Sequence, residues 1–227
     1  YHFSVRGPIV HDLQYTFMRD WFFMTDEDPA ILLKEDNFPP LGPVGDQAIR
    51  VVNGGPASEM ESIADVFFMA IVAARRQVLA VTPYFVPHRD IVGAMRAAAL
   101  RGVDVKLVVP KYNNHVAAGF ASRALYEDLL NAGVRIFERR PPFMHAKALL
   151  VDDVFAFVGT SNLDVRSFRL DYETNLAVCD ARFAEQLKEL VLEDIGLSDE
   201  VDMAVWIKRS SRERMMENLC SLMVPVL

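Results

Sequence analysis

The chain has 227 residues, of which 52% are hydrophobic, and a formal net charge of −7. This composition supplies enough apolar side chains for a sizeable core, so it predicts a globular protein and excludes a disordered one. The negative charge disfavours a long nucleic-acid groove, because such grooves neutralise phosphates with lysine and arginine. Cys179 and Cys220 are far apart and match no metal-ligand spacing, which indicates free thiols and no metal site.

No apolar run approaches the roughly 18–20 residues of a membrane span, and no signal peptide opens the sequence. We therefore expect a soluble or peripheral chain. The sequence starts at Tyr1, without an initiator methionine, and falls at once into a patterned segment. This start predicts that the native N-terminus is missing.

Residues 1–46 are predicted to be a strand, a helix and a linker that belong to an upstream half of the protein. Alternation predicts a strand over Tyr1–Arg6, and a helix follows from Pro8. Apolar side chains recur along this helix at the spacing expected for core packing: Val10, Leu13, Phe17 and Trp21. Four prolines and many acidic residues between Asp26 and Asp46 indicate a linker or surface excursion.

Residues 47–197 are predicted to be one α/β domain. The predicted strands cover Ala48–Asn53, Val78–Thr82, Val103–Val109, Val134–Glu138, Lys147–Val151, Phe155–Gly159 and Thr174–Val178. The predicted helices are one opened by a Ser58/Glu61 capping box, then Ile91–Arg101, Ala117–Ala132 and Arg182–Ile195. The first four strands alternate with helices, whereas the last three follow one another closely. The order predicts a mixed, mostly parallel sheet with helices on both faces.

Residues 198–227 are predicted to form two short amphipathic helices. Basic residues precede the second helix, and Met215, Met216, Leu219, Leu222 and Met223 lie along it. A helix on a membrane surface and a helix docked on the core or on a partner both fit this pattern.

The candidate site is built around His145 and Lys147. If both lie on one strand, the period of two places both side chains on the same face. A neutral imidazole is a nucleophile near neutral pH, and an adjacent ammonium neutralises phosphate oxygens, so the pair suits attack on phosphorus. Asp152 is seven residues from His145, an odd offset, which predicts the opposite face and a structural role at the strand end.

Three further residues follow the second strand of this motif. Gly159 allows close backbone approach, and the Asn162 amide can donate to an oxyanion. Glu173 opens the next strand, where its carboxylate could accept a hydrogen bond from the second ring nitrogen of His145; an ordinary surface carboxylate is the alternative. His115, in a loop after a strand, is either a plain polar loop residue or a ligand contact.

The spacing of His145, Lys147, Asp152, Gly159 and Asn162 resembles the HKD motif of the phospholipase D superfamily, H-x-K-x4-D-x6-G-[GS]-x-N. Thr160 departs from the usual Gly or Ser, a change that we expect to be tolerated. Within the superfamily the sequence is most similar to the second half of bacterial cardiolipin synthases, and the similarity covers nearly the whole chain. The runs that carry it are 82–87, 98–103, 143–147 and 162–168.

The resemblance implies a phospholipase D-like domain that acts without a cofactor. It implies two HKD motifs in the whole protein, of which this chain has the second. One motif histidine attacks the phosphodiester to give a phosphohistidine, and the other protonates the leaving alcohol and activates the acceptor. Here the resemblance implies that Lys147 and Asn162 hold phosphate oxygens, that Glu173 orients His145, and that Asp152 is the motif's third named member. The role of His145 as nucleophile or acid stays open.

The sequence therefore predicts the C-terminal catalytic half of a cardiolipin synthase-like phosphatidyltransferase, inactive or weak by itself. Its expected partners are phosphatidylglycerol, the membrane surface, and the missing N-terminal HKD half or a second copy, with no nucleic acid. Its expected location is the bacterial inner membrane, with peripheral contact or anchoring by segments missing from the chain. The alternatives are a phospholipase D-type phosphodiesterase that hydrolyses lipid, including one that works as a homodimer, and a non-catalytic membrane-binding module. A nuclease is disfavoured by the acidic charge.

Overall fold

A computed structural model describes residues 1–56 and 62–224 of the chain. The strands are β1 (Ala48–Gly54), β2 (Gln77–Val81), β3 (Phe85–Val86), β4 (Asp104–Pro110), β5 (Arg135–Arg139), β6 (Ala148–Val151), β7 (Phe155–Gly159), β8 (Leu163–Asp164), β9 (Glu173–Cys179) and β10 (Ser198–Glu200). The helices are α1 (Ile9–Thr25), α2 (Pro29–Leu32), α3 (Ser62–Ala73), α4 (Arg89–Leu100), α5 (Val116–Ala124), α6 (Tyr126–Asn131), α7 (Val165–Arg169), α8 (Ala181–Gly196), α9 (Met203–Trp206) and α10 (Ser211–Ser221). The capping box predicted at Ser58 and Glu61 lies outside the described residues.

The main sheet has the strand order β1-β9-β7-β6-β2-β4-β5-β10, and β3 pairs with β8 in a small second sheet. The mixed α/β class is confirmed. In the part of the chain that the structure describes, however, the main sheet is mostly antiparallel. The strand β4 runs parallel to β2 and to β5, and all other neighbouring strands of the main sheet pair antiparallel. The connections explain this, because β6 reaches β7 through a tight turn and no long crossover helix separates β7 from β9.

Helices cover both faces of the sheet, as the sequence predicts. One face packs against α3, α4 and α6, with Ile71, Met95 and Leu129 fully buried. The other face packs against α8, through Leu187 and Val191. β6 lies in the middle of this sandwich, between β2 and β7. The strands that carry the HKD spacing, β6 and β7, therefore lie in the interior of the sheet.

The N-terminal segment differs from its prediction. Residues 1–6 form no strand, because among the described residues no neighbour pairs with them. The helix α1 forms as predicted, but Phe17 is 54% exposed and Trp21 is 43% exposed, so neither side chain packs in the core. Thr16 and Met18 are the buried residues of this helix. Helical periodicity identified the helix correctly and assigned its buried face wrongly.

Two later segments also differ. The single helix predicted over 117–132 is divided into α5 and α6 at Leu125. This residue is the C-cap of α5 and the N-cap of α6. Residues 198–200, predicted as helical, form β10 and extend the sheet beside β5. Pairing with a distant strand decides that edge, and a three-residue segment carries no periodicity that could predict it.

Candidate active site

His145 and Lys147 lie in the extended segment that leads into β6. The Lys147 Nζ atom is 3.2 Å from each ring nitrogen of His145 and donates a hydrogen bond to the His145 carbonyl oxygen at 3.0 Å. The sequence predicts Lys147 as the first strand residue, whereas the strand begins one residue later, at Ala148. The two side chains are nevertheless brought together, so one ligand can contact both.

The electrostatics of the pair favour a neutral imidazole. Burial, and secondarily the charge of Lys147, lower the pKa of His145 below its ordinary value. Burial also lowers the pKa of Lys147, while the negative charges of Glu173 and Asp164 oppose that effect. An unprotonated ring nitrogen beside an ammonium group is the combination that nucleophilic attack on a phosphate ester requires.

Glu173 is buried at the start of β9, where its carboxylate accepts a hydrogen bond from the Thr160 hydroxyl. That hydroxyl oxygen also accepts a hydrogen bond from the Thr174 backbone N–H at 2.9 Å. The residue that departs from the HKD pattern therefore positions the carboxylate. Through its charge Glu173 stabilises protonated Lys147. The sequence predicts that the Glu173 carboxylate accepts a hydrogen bond from His145, whereas in the structure it accepts one from the Thr160 hydroxyl and acts on Lys147 through its charge.

Asn162 lies beside this group, between β7 and β8. Its backbone N–H donates to the Ser167 hydroxyl at 3.0 Å, and its side chain interacts with the Asp164 carboxylate. Asp164 also accepts a hydrogen bond from the Ser167 backbone N–H at 2.7 Å and so caps α7. Burial raises the pKa of Asp164 to about 6. The Asn162 backbone is thus fixed at the carboxyl end of β7, while its buried side-chain oxygen has no hydrogen-bond partner among the described residues.

A cleft of about 390 Å³ opens next to these residues. Its polar lining consists of Tyr84, His115, Asn162, Asp164, Arg166 and Asp171. The Tyr84 ring joins the cleft to the His145–Lys147 pair, because its centroid lies 6.0 Å from the His145 ring and 5.4 Å from the His115 ring. A larger cleft of about 520 Å³ lies against residues 2–6 and contains none of this cluster. Chemistry and shape therefore favour the smaller cleft as the substrate site.

Asp152 lies at the opposite end of β6. Its carboxylate accepts three backbone hydrogen bonds, from Arg75 at 2.8 Å, Arg76 at 2.8 Å and Gln77 at 3.0 Å. Partial burial would raise its pKa, but the hydrogen bonds from Gln77, Arg75 and Arg76 together keep that pKa below its usual range. The carboxylate ties the turn between α3 and β2 to the end of β6, in keeping with the strand-parity argument.

The turn after β6 also depends on this position. Asp152 and Asp153 have φ values of 53° and 59°, and the Val154 N–H donates to the Val151 carbonyl at 3.2 Å. Two successive residues with positive φ are typical of a type I′ turn, and aspartate tolerates that backbone better than most residues. The motif aspartate therefore supports both the turn and the neighbouring α3–β2 connection.

Gly159 is required by packing. A Cβ atom at this position would lie 2.6 Å from the Asn175 Cα and would overlap the Thr174 carbonyl oxygen, so β7 approaches β9 too closely for a side chain. This is the close backbone approach that the sequence predicts.

Several site residues were missed by reasoning from sequence: Tyr84, Phe143, Thr160, Asp164 and Arg166. The Phe143 ring lies 5.9 Å from the His145 ring, and the others are described above. His115 was noted for its position after a strand, and it lines the cleft. Tyr84, Phe143 and Thr160 lie in loops and Asp164 and Arg166 in the short elements β8 and α7, so the signal that could have identified them is their position just after strands of the sheet or just before His145.

A family model described as "Cardiolipin synthase, PLD-like domain" matches residues 68–195. The chain is 36% identical over 227 residues to a cardiolipin synthase of Geobacillus thermodenitrificans, covering 100% of this chain and 45% of that protein. It is 34% identical over 226 residues to the major cardiolipin synthase ClsA of Bacillus subtilis, covering 100% of this chain and 47% of that protein. The chain therefore spans about half the length of these relatives.

The fold is similar to that of Nuc, a phospholipase D family member from Salmonella typhimurium. The TM-score is 0.59 at 23% identity, and the alignment covers 69% of this chain and 99% of the other. At this identity the likeness concerns the fold alone.

Proposed function

The chain belongs to the cardiolipin synthase, PLD-like domain family, and from this premise we propose that it is the catalytic half that carries the C-terminal HKD motif of a phosphatidyltransferase. The reaction joins two phosphatidylglycerol molecules into cardiolipin and releases one glycerol. The observation that carries the proposal is the His145–Lys147 pair, an imidazole with a lowered pKa in contact with an ammonium group.

The chemistry needs two imidazoles. One attacks the phosphorus of the first phosphatidylglycerol and forms the P–N bond of a phosphohistidine, while the other gives its proton to the departing glycerol. The second imidazole then takes the proton of a hydroxyl on another phosphatidylglycerol, whose oxygen attacks phosphorus and breaks the P–N bond. His145 supplies one of these groups, and the N-terminal half or a second copy supplies the other. Loss of a positioned acid typically costs about 10²–10⁴ in rate, so the chain alone is weakly active.

The remaining site residues have supporting roles in the proposal. Lys147 and the Asn162 amide hold the phosphate oxygens, where they stabilise the charge that develops in the transition state. Glu173 keeps Lys147 protonated through its charge, and in the substrate-bound state its carboxylate orients His145. Asp152 acts through the fold of β6 and touches no substrate.

The substrate places the reaction at the bacterial inner membrane. Within the described residues, no helix is long and apolar enough to cross a bilayer. In this function, residues 1–46 belong to the upstream half, residues 47–197 form the catalytic domain and residues 198–227 form the C-terminal helices.

The test uses the full-length protein and labelled phosphatidylglycerol in vesicles. His145→Ala is expected to abolish cardiolipin and glycerol formation, while the control His2→Ala, an exposed histidine outside the cluster, retains both. Unchanged cardiolipin formation in His145→Ala would contradict the catalytic assignment. Phosphatidic acid as the main product would favour the hydrolytic alternative, in which water is the acceptor.

A second measurement tests the pairing of halves. Sedimentation of the chain alone measures whether two copies associate. Mixing the chain with the N-terminal half is expected to restore activity. Full transferase activity in a strictly monomeric chain would overturn the requirement for a second imidazole.

A further inference from the structure

The helix α10 presents apolar side chains outward and a charged side chain inward. Met215, Leu219 and Leu222 are 62%, 56% and 77% exposed, whereas Glu217 is 1% exposed. The three apolar residues are four and three positions apart, so they share one side of the helix, named here the outer face of α10. Helices on the surface of a soluble domain normally show the reverse arrangement.

Buried ion pairs fix this orientation. Glu217 pairs with Arg123 at 3.2 Å and with Arg209 at 2.8 Å. A rotation of α10 that buried its apolar side would remove this carboxylate from both partners and leave buried charges uncompensated, which costs several kcal/mol. Arg123 and Arg209 also stack on the Trp206 ring, at 4.5 and 4.6 Å from its centroid. The exposure of the outer face is therefore determined by the fold.

The outer face lies beside the candidate active site. Cys220 of α10 is buried in one cluster with Ala118 and Ala121 of α5, and Tyr84 packs against the same cluster. The helix α5 begins immediately after His115, which lines the cleft. The C-terminal end of α10 thus lies on the side of α5 where the cleft opens.

Exposed apolar side chains also lie near His115 in the sequence. Tyr112 and Val116, which flank His115, are both exposed, and so is Met223 beyond the end of α10. Exposed apolar side chains are therefore present both on α10 and beside the residue that lines the cleft, His115.

The charges on this part of the chain identify the occupant. From residue 205 to residue 224 there are four cations, Lys208, Arg209, Arg212 and Arg214, and two carboxylates, Glu213 and Glu217. Since Arg209 and Glu217 are paired internally, the exposed excess is positive, although the whole chain carries a charge of −7. An apolar helix face flanked by cations matches the interface of an anionic bilayer, where acyl chains and lipid phosphates lie at adjacent depths.

The exposed apolar surface of α1 provides the contrast. It contains Phe17, Phe23 and Met24, but acidic residues surround it, among them Asp20 and the run 26–28. An anionic membrane would repel this surface. Charge therefore distinguishes the outer face of α10 from the exposed apolar surface of α1.

We infer that the outer face of α10 docks on an anionic phospholipid bilayer and presents the cleft lined by His115 and Asn162, beside His145, to lipid headgroups. The inference rests on the proposed function for the identity of the substrate, and it adds the surface through which the site reaches that substrate. Lipid enters the cleft from the bilayer while α10 lies in the interfacial region.

The test places an environment-sensitive fluorophore on Leu222→Cys in the full-length protein, with the exposed Cys179 replaced by serine. The matched control carries the label on Leu100→Cys, an exposed leucine at the end of α4. Vesicles of phosphatidylglycerol and phosphatidylcholine are expected to shift the emission at position 222 to shorter wavelength and to leave position 100 unchanged. A label at 222 that stays in water when the protein is vesicle-bound, or that is already buried in the lipid-free protein, would overturn the inference.

Charge and activity variants complete the test. Lys208, Arg212 and Arg214 are each replaced by glutamine. Each replacement is expected to lower the vesicle affinity measured from this emission shift by roughly fivefold, and pure phosphatidylcholine is expected to produce little shift. The triple variant Met215→Ser, Leu219→Ser, Leu222→Ser is expected to lose at least tenfold in activity on vesicles while retaining activity on a short-chain, monomeric phosphatidylglycerol. Equal losses on both substrates would contradict docking. A normal fluorescence shift without cardiolipin formation would instead contradict the proposed function alone.

Discussion

The two ends of β6 use the HKD spacing in different ways. At the start of the strand, Lys147 contacts both ring nitrogens of His145, and the Tyr84 ring links His145 to the neighbouring cleft. At the other end, Asp152 accepts three backbone hydrogen bonds and supports a turn. Lys147 and Asp152 are five positions apart on extended chain, or about 16 Å at the usual rise per residue. Residues of one sequence motif can therefore have different roles, some at the candidate site and others in holding the fold.

The largest expected effect tests the chemical end. Lys147→Met in the full-length protein is expected to lower the rate of cardiolipin formation by about 100- to 1,000-fold, because a group that stabilises developing phosphate charge is lost. The melting temperature is expected to stay the same or to rise, since burial of this ammonium opposes folding. Lys188→Met, which removes a cation paired with Asp153 near the other end of the strand, serves as the control and should keep its activity. Retention of more than a tenth of the activity in Lys147→Met would remove Lys147 from the site.

The next effect tests the architectural end. Asp152→Ala is expected to lower the free energy of unfolding of the full chain by about 2–3 kcal/mol, because three backbone donors lose their acceptor. Asp153→Ala is the matched control: it has the same positive φ in the same turn, but its carboxylate forms exposed ion pairs with Lys188 and Arg76, worth less than about 1 kcal/mol. Urea unfolding measures both variants. Equal losses would show that the turn, and not the hydrogen bonds, requires aspartate.

The hydrogen bonds of Asp152 also predict a pH dependence. Its pKa in the folded chain is below that of the unfolded chain, so its stabilisation is complete above the ordinary aspartate range and decreases as pH falls through the folded pKa. Asp152→Asn is expected to reduce the acid sensitivity of unfolding relative to the parent chain.

A third experiment measures the coupling within the chemical end. The His145 ring is expected to titrate below 6.5 in an NMR experiment, because burial and the Lys147 charge disfavour its protonated form. Lys147→Gln is expected to raise this pKa by removing the nearby positive charge, whereas Asp152→Asn leaves it unchanged. A shift of similar size in both variants would mean that the two ends are electrostatically coupled.

The smallest expected effect comes from Asp164, whose pKa is raised to about 6 by burial. The folded chain then binds the proton more tightly than the unfolded chain, so this group lowers stability as pH rises from about 4 to about 6. Asp164→Asn retains a side chain that can cap α7 and removes the titration. Its stability relative to the parent chain is expected to increase across that window in thermal unfolding. Parallel curves would place Asp164 in a more solvated environment than the structure shows.

Local patterns predicted most of the elements around the site. β7 has the predicted bounds, and β6 and β9 agree within one residue at each end. The sequence also predicts the structural role of Asp152 at the end of β6 and the close approach at Gly159. Both features depend only on one hairpin and its neighbouring strand. The false strand at residues 1–6 shows the limit of alternation, which indicates a strand only where another strand is available to pair.

The sequence by itself determined the HKD spacing, the membership of the α/β class and the pairing of His145 with Lys147, because these depend on residues only a few positions apart. The tertiary structure decided which distant groups complete the cluster. It placed Thr160 on Glu173, brought Tyr84 and His115 to the cleft, and turned the apolar side of α10 outward by burying Glu217 with Arg123. Such contacts join loops and helices that are far apart in sequence, and no local periodicity encodes them.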